Sequence, residues 1–214
     1  MDEKKLSPLA IAHLVLMGAL LLLNLSMIGL LLWDPALQGA ASDRSLLLNT
    51  AFSLVLYLAN CLALGCGMLY TLRGYTKNAA VYYRTFLLLT AVSSLLYAVS
   101  TACYRSSLEP FDPAGTVSAG QYVVGLLLRS FPLMMAKAAL LFILVLAPDL
   151  GRRYAWIAFG LLLALDLLFS LLSMGSVDLA LILLLGVFTR LAMDGTVWLA
   201  IRGKYVDKER RGTQ

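Results

Sequence analysis

Residues 9–33 read LAIAHLVLMGALLLLNLSMIGLLLW, a segment of 25 residues without Asp, Glu, Lys or Arg. A helix rises about 1.5 Å per residue, so about 20 apolar residues cross the roughly 30 Å of hydrocarbon in a bilayer. Backbone groups must be paired in lipid, and the segment lacks the alternation of a barrel strand. Five more apolar segments follow, at about residues 46–72, 79–104, 119–147, 154–173 and 177–201. The sequence therefore predicts an all-α, polytopic membrane protein: a bundle of six transmembrane helices forming a single domain over residues 1–214.

The composition supports a membrane environment. Of the 214 residues, 61% are hydrophobic and only 14% are charged, whereas a soluble domain is about a quarter charged. A water-facing core of this size cannot hold that much apolar surface, so we expect the lipid bilayer to be the chain's main partner. The net charge of +5 is spread over short connections between apolar segments, which predicts no nucleic-acid partner.

The distribution of Lys and Arg predicts the orientation. With the N-terminus inside, twelve basic residues lie on the cytoplasmic side and two, Arg44 and Arg105, on the outer side. The cytoplasmic set is Lys4, Lys5, Arg73, Lys77, Arg84, Arg152, Arg153, Arg202, Lys204, Lys208, Arg210 and Arg211. This bias follows the positive-inside rule, so we expect both termini in the cytoplasm. The expected location is the inner (plasma) membrane of a bacterium.

In size and topology the chain is similar to the substrate-binding membrane subunits of energy-coupling-factor vitamin transporters. Those subunits also have about six helices with both ends in the cytoplasm. The similarity is one of architecture, and architecture does not determine function.

Charged side chains within the last three apolar segments are the most informative feature. They are Arg129, Lys137, Asp166, Arg190 and Asp194. An ionisable group at membrane depth costs at least about 2.5–3.5 kcal/mol, so such groups pair inside the bundle or line a polar cavity. Counting from the cytoplasmic helix ends places Lys137, Asp166, Arg190 and Asp194 about 12–18 Å deep, in one layer.

Two interpretations of this layer remain open. In the first, it binds a small polar or anionic solute, with Arg129 and Arg190 as the best ligand contacts, or it relays protons through Asp166 and Asp194. In the second, Lys137–Asp166 and Arg190–Asp194 are structural ion pairs that hold three helices together. Arg129 lies nearer the outer side, where Asp178 is a plausible partner.

A stripe of small residues supports an alternative function. Ala59, Ala63 and Gly67 recur at a spacing of four, which lets another helix approach closely. That helix could belong to this chain or to a second chain in a homo- or hetero-oligomer. The alternative is therefore a non-catalytic membrane scaffold, immunity-type or regulatory subunit that binds a partner membrane protein.

The sequence predicts no catalytic residue, metal site or cofactor. It contains no H-E-x-x-H, G-x-S-x-G or P-loop motif. His13 is the single histidine, for which we expect a packing role near the membrane interface. Polar residues on the first three segments are expected to hydrogen-bond between helices; they are Asn24, Ser26, Asn49, Asn60, Ser93 and Ser94.

Overall fold

A computed structural model describes residues 6–33, 44–73, 79–108, 119–173 and 177–202. Every secondary-structure element in these ranges is a helix, which confirms the all-α prediction. The helices are α1 (Pro8–Trp33), α2 (Arg44–Arg73), α3 (Ala79–Leu108), α4 (Ala119–Leu146), α5 (Pro148–Arg153), α6 (Ala155–Ser173) and α7 (Val177–Arg202). Six of them are long, and α5 is a single short helix of six residues.

The helix α5 was not predicted from the sequence. Helix α4 ends at Leu146 because Pro148 disfavours helical geometry at the residue before it. Proline is well suited to the first position of a new helix, where its missing N–H has no intrahelical partner anyway. The Gly151 N–H donates to the Ala147 carbonyl at 3.3 Å. A segment of six residues with one large apolar side chain, Leu150, carries no apolar period, so its helix leaves no signal in the hydrophobic pattern.

Among the described residues, four helical stretches are long and apolar enough to cross a membrane: Pro8–Trp33, Thr50–Arg73, Ala79–Ala102 and Ala155–Leu172. The described apolar stretch of α4, Phe131–Leu146, is shorter than these four. Helix α7 carries Arg190 and Asp194 within its span.

The outer surface of the bundle is far more apolar than that of a water-soluble protein. Large apolar side chains lie on the outside, such as Val15 (68% exposed), Leu30 (63%) and Leu171 (66%). Lys137, at 0% exposed, lies in the interior together with several other charged and polar groups. Since water would penalise that outer surface by about 25 cal/mol per Å², the chain is a membrane-embedded protein.

Helix α7 lies at the centre of the bundle. It packs against α1, α2, α3, α5 and α6. Between residues 189 and 201 most of its side chains are buried, whereas α1 exposes much of its surface. The charged side chains of this buried stretch, Arg190 and Asp194, therefore lie against neighbouring helices and not against solvent.

The stripe of small residues on α2 faces the interior of the same chain. Ala63 is fully buried in the core. A Cβ placed on Gly67 would lie 2.7 Å from the Met17 side chain of α1 and 3.0 Å from the Phe86 ring of α3. Two of the three stripe residues thus allow close packing among α1, α2 and α3, while Ala59 is half-buried.

Candidate functional site

A lysine and two aspartates form the centre of the charged layer. Lys137 Nζ on α4 donates a hydrogen bond to Asp166 Oδ2 on α6 at 2.5 Å. The same ammonium lies 2.8 Å from Asp194 Oδ1 on α7, within ion-pair distance. All three side chains are at most 1% exposed. One cation therefore joins carboxylates from two other helices; we call these three residues the Lys137 triad.

The triad has more acceptors than donors. Asp166 Oδ1 and Asp194 Oδ2 have no hydrogen-bond donor among the described residues, and Asp194 Oδ1 has the ion-pair contact with Lys137. A buried carboxylate oxygen without a donor is costly, because burial removes its water. The formal charge of the triad is −1 when all three groups are ionised. The triad is therefore able to accept one more proton or a hydrogen-bond donor.

Arg190 lies next to the triad but is held by neutral groups of α3. Its Nη1 donates to Ser94 Oγ at 2.8 Å, and its Nη2 donates to the Ser93 carbonyl at 2.9 Å and to Ser93 Oγ at 3.3 Å. The guanidinium carbon lies 4.3 Å from the centre of the Tyr97 ring. Arg190 is 1% exposed, so its cationic group lies deep in the bundle.

This geometry corrects the predicted pairing on α7. The Lys137–Asp166 pair is present, but Asp194 pairs with Lys137 and not with Arg190. Helical side chains lean toward the N-terminus, so the Arg190 side chain extends away from a residue four positions later. The order acid then base is the favourable one at this spacing, and the chain has the reverse order. Asp166 and Asp194 act on Arg190 electrostatically from beyond ion-pair distance.

Arg190 also ends a chain of hydrogen bonds that crosses the bundle. Ser93 Oγ donates to Asn60 Oδ1 at 2.5 Å, and Asn60 Nδ2 donates to Asn24 Oδ1 at 3.1 Å. Asn24 Nδ2 returns to α7 by donating to Thr189 Oγ1 at 3.2 Å. All five residues are buried. The polar residues expected to join the first three helices thus form one network with the charged layer.

Sequence reasoning treated this network and the charged layer as separate. A signal for their contact was available in the depth of the residues. At about 1.5 Å per residue, Asn60 lies about 20 Å from the end of its helix at Arg73, Ser93 about 21 Å from Ala79, and Arg190 about 18 Å from Arg202. Depth alone would have brought these groups together. Of the others, Ser26 bonds to its own helix at the exposed surface, and the Asn49 side chain lies outside what the structure describes.

Tyr97 completes the site on the side of α3 and α6. Its ring lies 5.0 Å from that of Phe169 on α6, and a Cβ on Gly186 would come within 2.6 Å of the Tyr97 hydroxyl. Gly186 therefore lets the tyrosine lie directly against α7. The Tyr97 hydroxyl has no hydrogen-bond partner among the described residues. Sequence reasoning did not single out Tyr97, because it lies within an apolar segment at core spacing.

Three of the predicted residues remain: Arg129, Asp178 and His13. Arg129 lies on α4, but its side chain and that of Asp178 fall outside the described side chains. His13 lies near the N-terminal end of α1, where its Nε2 is 2.7 Å from Thr196 Oγ1 and a Cβ on Gly195 would lie 2.9 Å from its ring. It joins α1 to α7.

Within the described ranges, no three His, Cys, Asp or Glu side chains come together as metal ligands. Comparison with protein-family models, with curated proteins and with solved structures finds no match for this chain. Function therefore has to be argued from the site alone.

The site combines two chemically distinct parts in one layer. The Lys137 triad offers carboxylate oxygens without donors. Arg190 offers a guanidinium whose hydrogen bonds go to neutral acceptors. Together the four charged groups sum to zero, so a charged species at one part changes the balance at the other.

Proposed function

We propose that this chain crosses the membrane six times, with both termini in the cytoplasm, and that it binds and transports a small anionic or polar solute at the charged layer. The exposed apolar surface and the four helices long enough to span a bilayer support a membrane protein. The excess of basic residues on one side supports the orientation.

The observation that carries the solute proposal is the state of Arg190. A guanidinium has five N–H donors. Three hydrogen bonds to Ser93 and Ser94 use three of them, and Nε has no partner among the described residues. Two donors therefore remain for an acceptor. Carboxylate and phosphate groups accept two such bonds at once, and they would also neutralise a buried charge.

Native mass spectrometry of the protein, extracted gently from its own membrane, tests the solute proposal. We expect a reproducible extra mass of a small molecule on the wild type and on Arg202→Leu, which removes an exposed arginine of the same helix. We expect its loss from Arg190→Leu in protein that still inserts and folds. An extra mass that survives Arg190→Leu would refute the proposal.

A fluorescent-protein fusion at the C-terminus, paired with a periplasmic alkaline phosphatase fusion at the same point, tests the topology. Fluorescence without phosphatase activity is expected, because six spans return the chain to the cytoplasm. The reverse pattern would place the C-terminus outside the cytoplasm and would contradict the proposed topology.

The alternative function, a scaffold or regulatory subunit, relied on the small-residue stripe. Ala63 and Gly67 pack inside the bundle, so the geometry does not favour them as a docking surface. An oligomer stays a prediction and would need a surface other than these two residues.

A further inference from the structure

We propose that the Lys137 triad is a proton site: its two carboxylates take up and release one proton inside the membrane. The site itself does not depend on the proposed solute. Three observations support it, namely the sharing of one cation by two carboxylates, the oxygens without donors, and the charged and titratable groups around them.

The first observation is that Asp166 and Asp194 share one cation, Lys137. Asp166 Oδ2 and Asp194 Oδ1 both lie within 2.8 Å of the same Lys137 Nζ. Their separation is therefore no more than these two distances together. Two carboxylates that close repel each other when both are ionised, and one ammonium compensates only one of the two charges. Protonating one carboxylate relieves the repulsion, which is the arrangement found in dyads of acids that share a proton.

The carboxylate oxygens without donors favour a proton over a metal cation as the species that the triad binds. A proton on Asp194 gives a neutral carboxyl whose O–H donates to an Asp166 oxygen, while Lys137 stays an ammonium paired with Asp166. One O–H bond forms on Asp194, and one breaks in a hydronium ion of the aqueous phase, which is left as water. A metal cation would instead need several oxygen ligands around it, and the ammonium already occupies the position between the carboxylates.

Among the described residues, few charged or titratable groups lie near the two carboxylates. From α7 itself, Arg190 acts on the pair electrostatically, and from α3 the Tyr97 phenol acts on Asp166. From α2 the Tyr57 phenol lies near Tyr97, and from α1 His13 meets α7 at Thr196, two residues after Asp194. From α4 the facing group is Lys137, and from α6 it is Asp166.

Uptake of the proton would change the charge of the layer. With all four groups ionised, the two cations and two carboxylates sum to zero. A proton on the pair leaves a net charge of +1 beside Arg190, which an anion would balance. The coupling of proton to anion rests on the proposed function, whereas the titration of the triad does not. By linkage, each species strengthens the binding of the other.

Infrared spectroscopy of the purified full-length chain in lipid nanodiscs tests the proton site without a solute. Isotope-labelled aspartate identifies the carboxyl bands during a pH titration. We expect one protonated-carboxyl band that appears and disappears reversibly with pH in the wild type and is missing from Asp194→Asn. It should persist in Asp149→Asn, which removes an exposed aspartate of α5.

Three results would overturn the proposal. The first is a difference spectrum between wild type and Asp194→Asn that holds no titrating band while the protein stays folded. The second is a band that persists unchanged in both Asp194→Asn and Asp166→Asn. Asp166→Asn is included in case Asp194→Asn does not fold. The third is a band abolished when sodium replaces potassium in the buffer, which would mean a metal-cation site.

Discussion

The guanidinium carbon of Arg190 on α7 lies 4.3 Å from the centre of the Tyr97 ring on α3. The ring therefore shields the cation on one face, while Ser93 and Ser94 bind its edge. A cation over an aromatic ring in a desolvated site gains about 2 kcal/mol. This contact holds Arg190 in place without neutralising it, which leaves the charge available to a ligand.

Replacing Tyr97 tests how much the ring contributes. Tyr97→Leu removes the contact with Arg190 and the aromatic pair with Phe169, so we expect the free energy of unfolding to fall by about 2 kcal/mol. Tyr97→Phe keeps the ring and removes a hydroxyl without a partner, so its stability should stay within about 0.5 kcal/mol of the wild type. Thermal unfolding in a mild detergent measures both, and equal losses would mean that the ring is not the stabilising group.

The Lys137 triad predicts a pattern of loss and rescue. Lys137→Met leaves two buried carboxylates without their cation, which should cost about 3–5 kcal/mol. Adding Asp194→Asn removes one of those carboxylates and restores the charge balance with Arg190 and Asp166. We expect the double variant to unfold at a higher temperature than Lys137→Met alone. A double variant that is less stable than either single variant would contradict the shared-cation geometry.

Gly186 predicts a steric effect at the back of the site. In Gly186→Ala the new Cβ would lie within 2.6–2.8 Å of Tyr97 atoms, so the ring must move away from Arg190. Overpacking of this kind costs about 1–3 kcal/mol. The matched control is Gly160→Ala on α6, where a Cβ meets nothing within 4 Å and the change should gain about 0.5–1 kcal/mol. If both variants show the same midpoint of thermal unfolding, Tyr97 does not pack on Gly186.

The hydrogen-bond chain from α1 to α7 gives a fourth prediction. Asn60→Ala removes the residue between Asn24 and Ser93 and leaves two buried groups short of a partner. Polar contacts between membrane helices contribute about 0.6 kcal/mol on average and up to about 1.7, and we expect the upper part of that range. Ser26→Ala, at the exposed surface, should change the unfolding midpoint much less. A larger effect from Ser26→Ala would contradict the network.

The sequence predicted the long helices well, and counting residues along the apolar segments correctly placed Lys137, Asp166 and Asp194 at one level of the bundle. The segment predicted at 79–104 continues to Leu108, and 46–72 is Arg44–Arg73. Pairing was harder. Spacing puts Arg190 and Asp194 on one face, but the direction of each side chain and the position of the neighbouring helices decide the partner. Asp194 meets Lys137 because α4 lies opposite it, and no local pattern in the sequence records that arrangement.

The most direct test of the account is how much of the co-extracted solute is retained at two pH values, measured by native mass spectrometry on wild type and Asp194→Asn. If the triad takes up a proton when Arg190 binds an anion, the wild type should retain the extra mass at the lower pH and lose it at the higher one. Affinity should change by up to about tenfold per pH unit. Asp194→Asn, which resembles the protonated state, should retain the mass equally at both. A wild type that retains it independently of pH, or an Asp194→Asn variant as sensitive to pH as the wild type, would contradict the account.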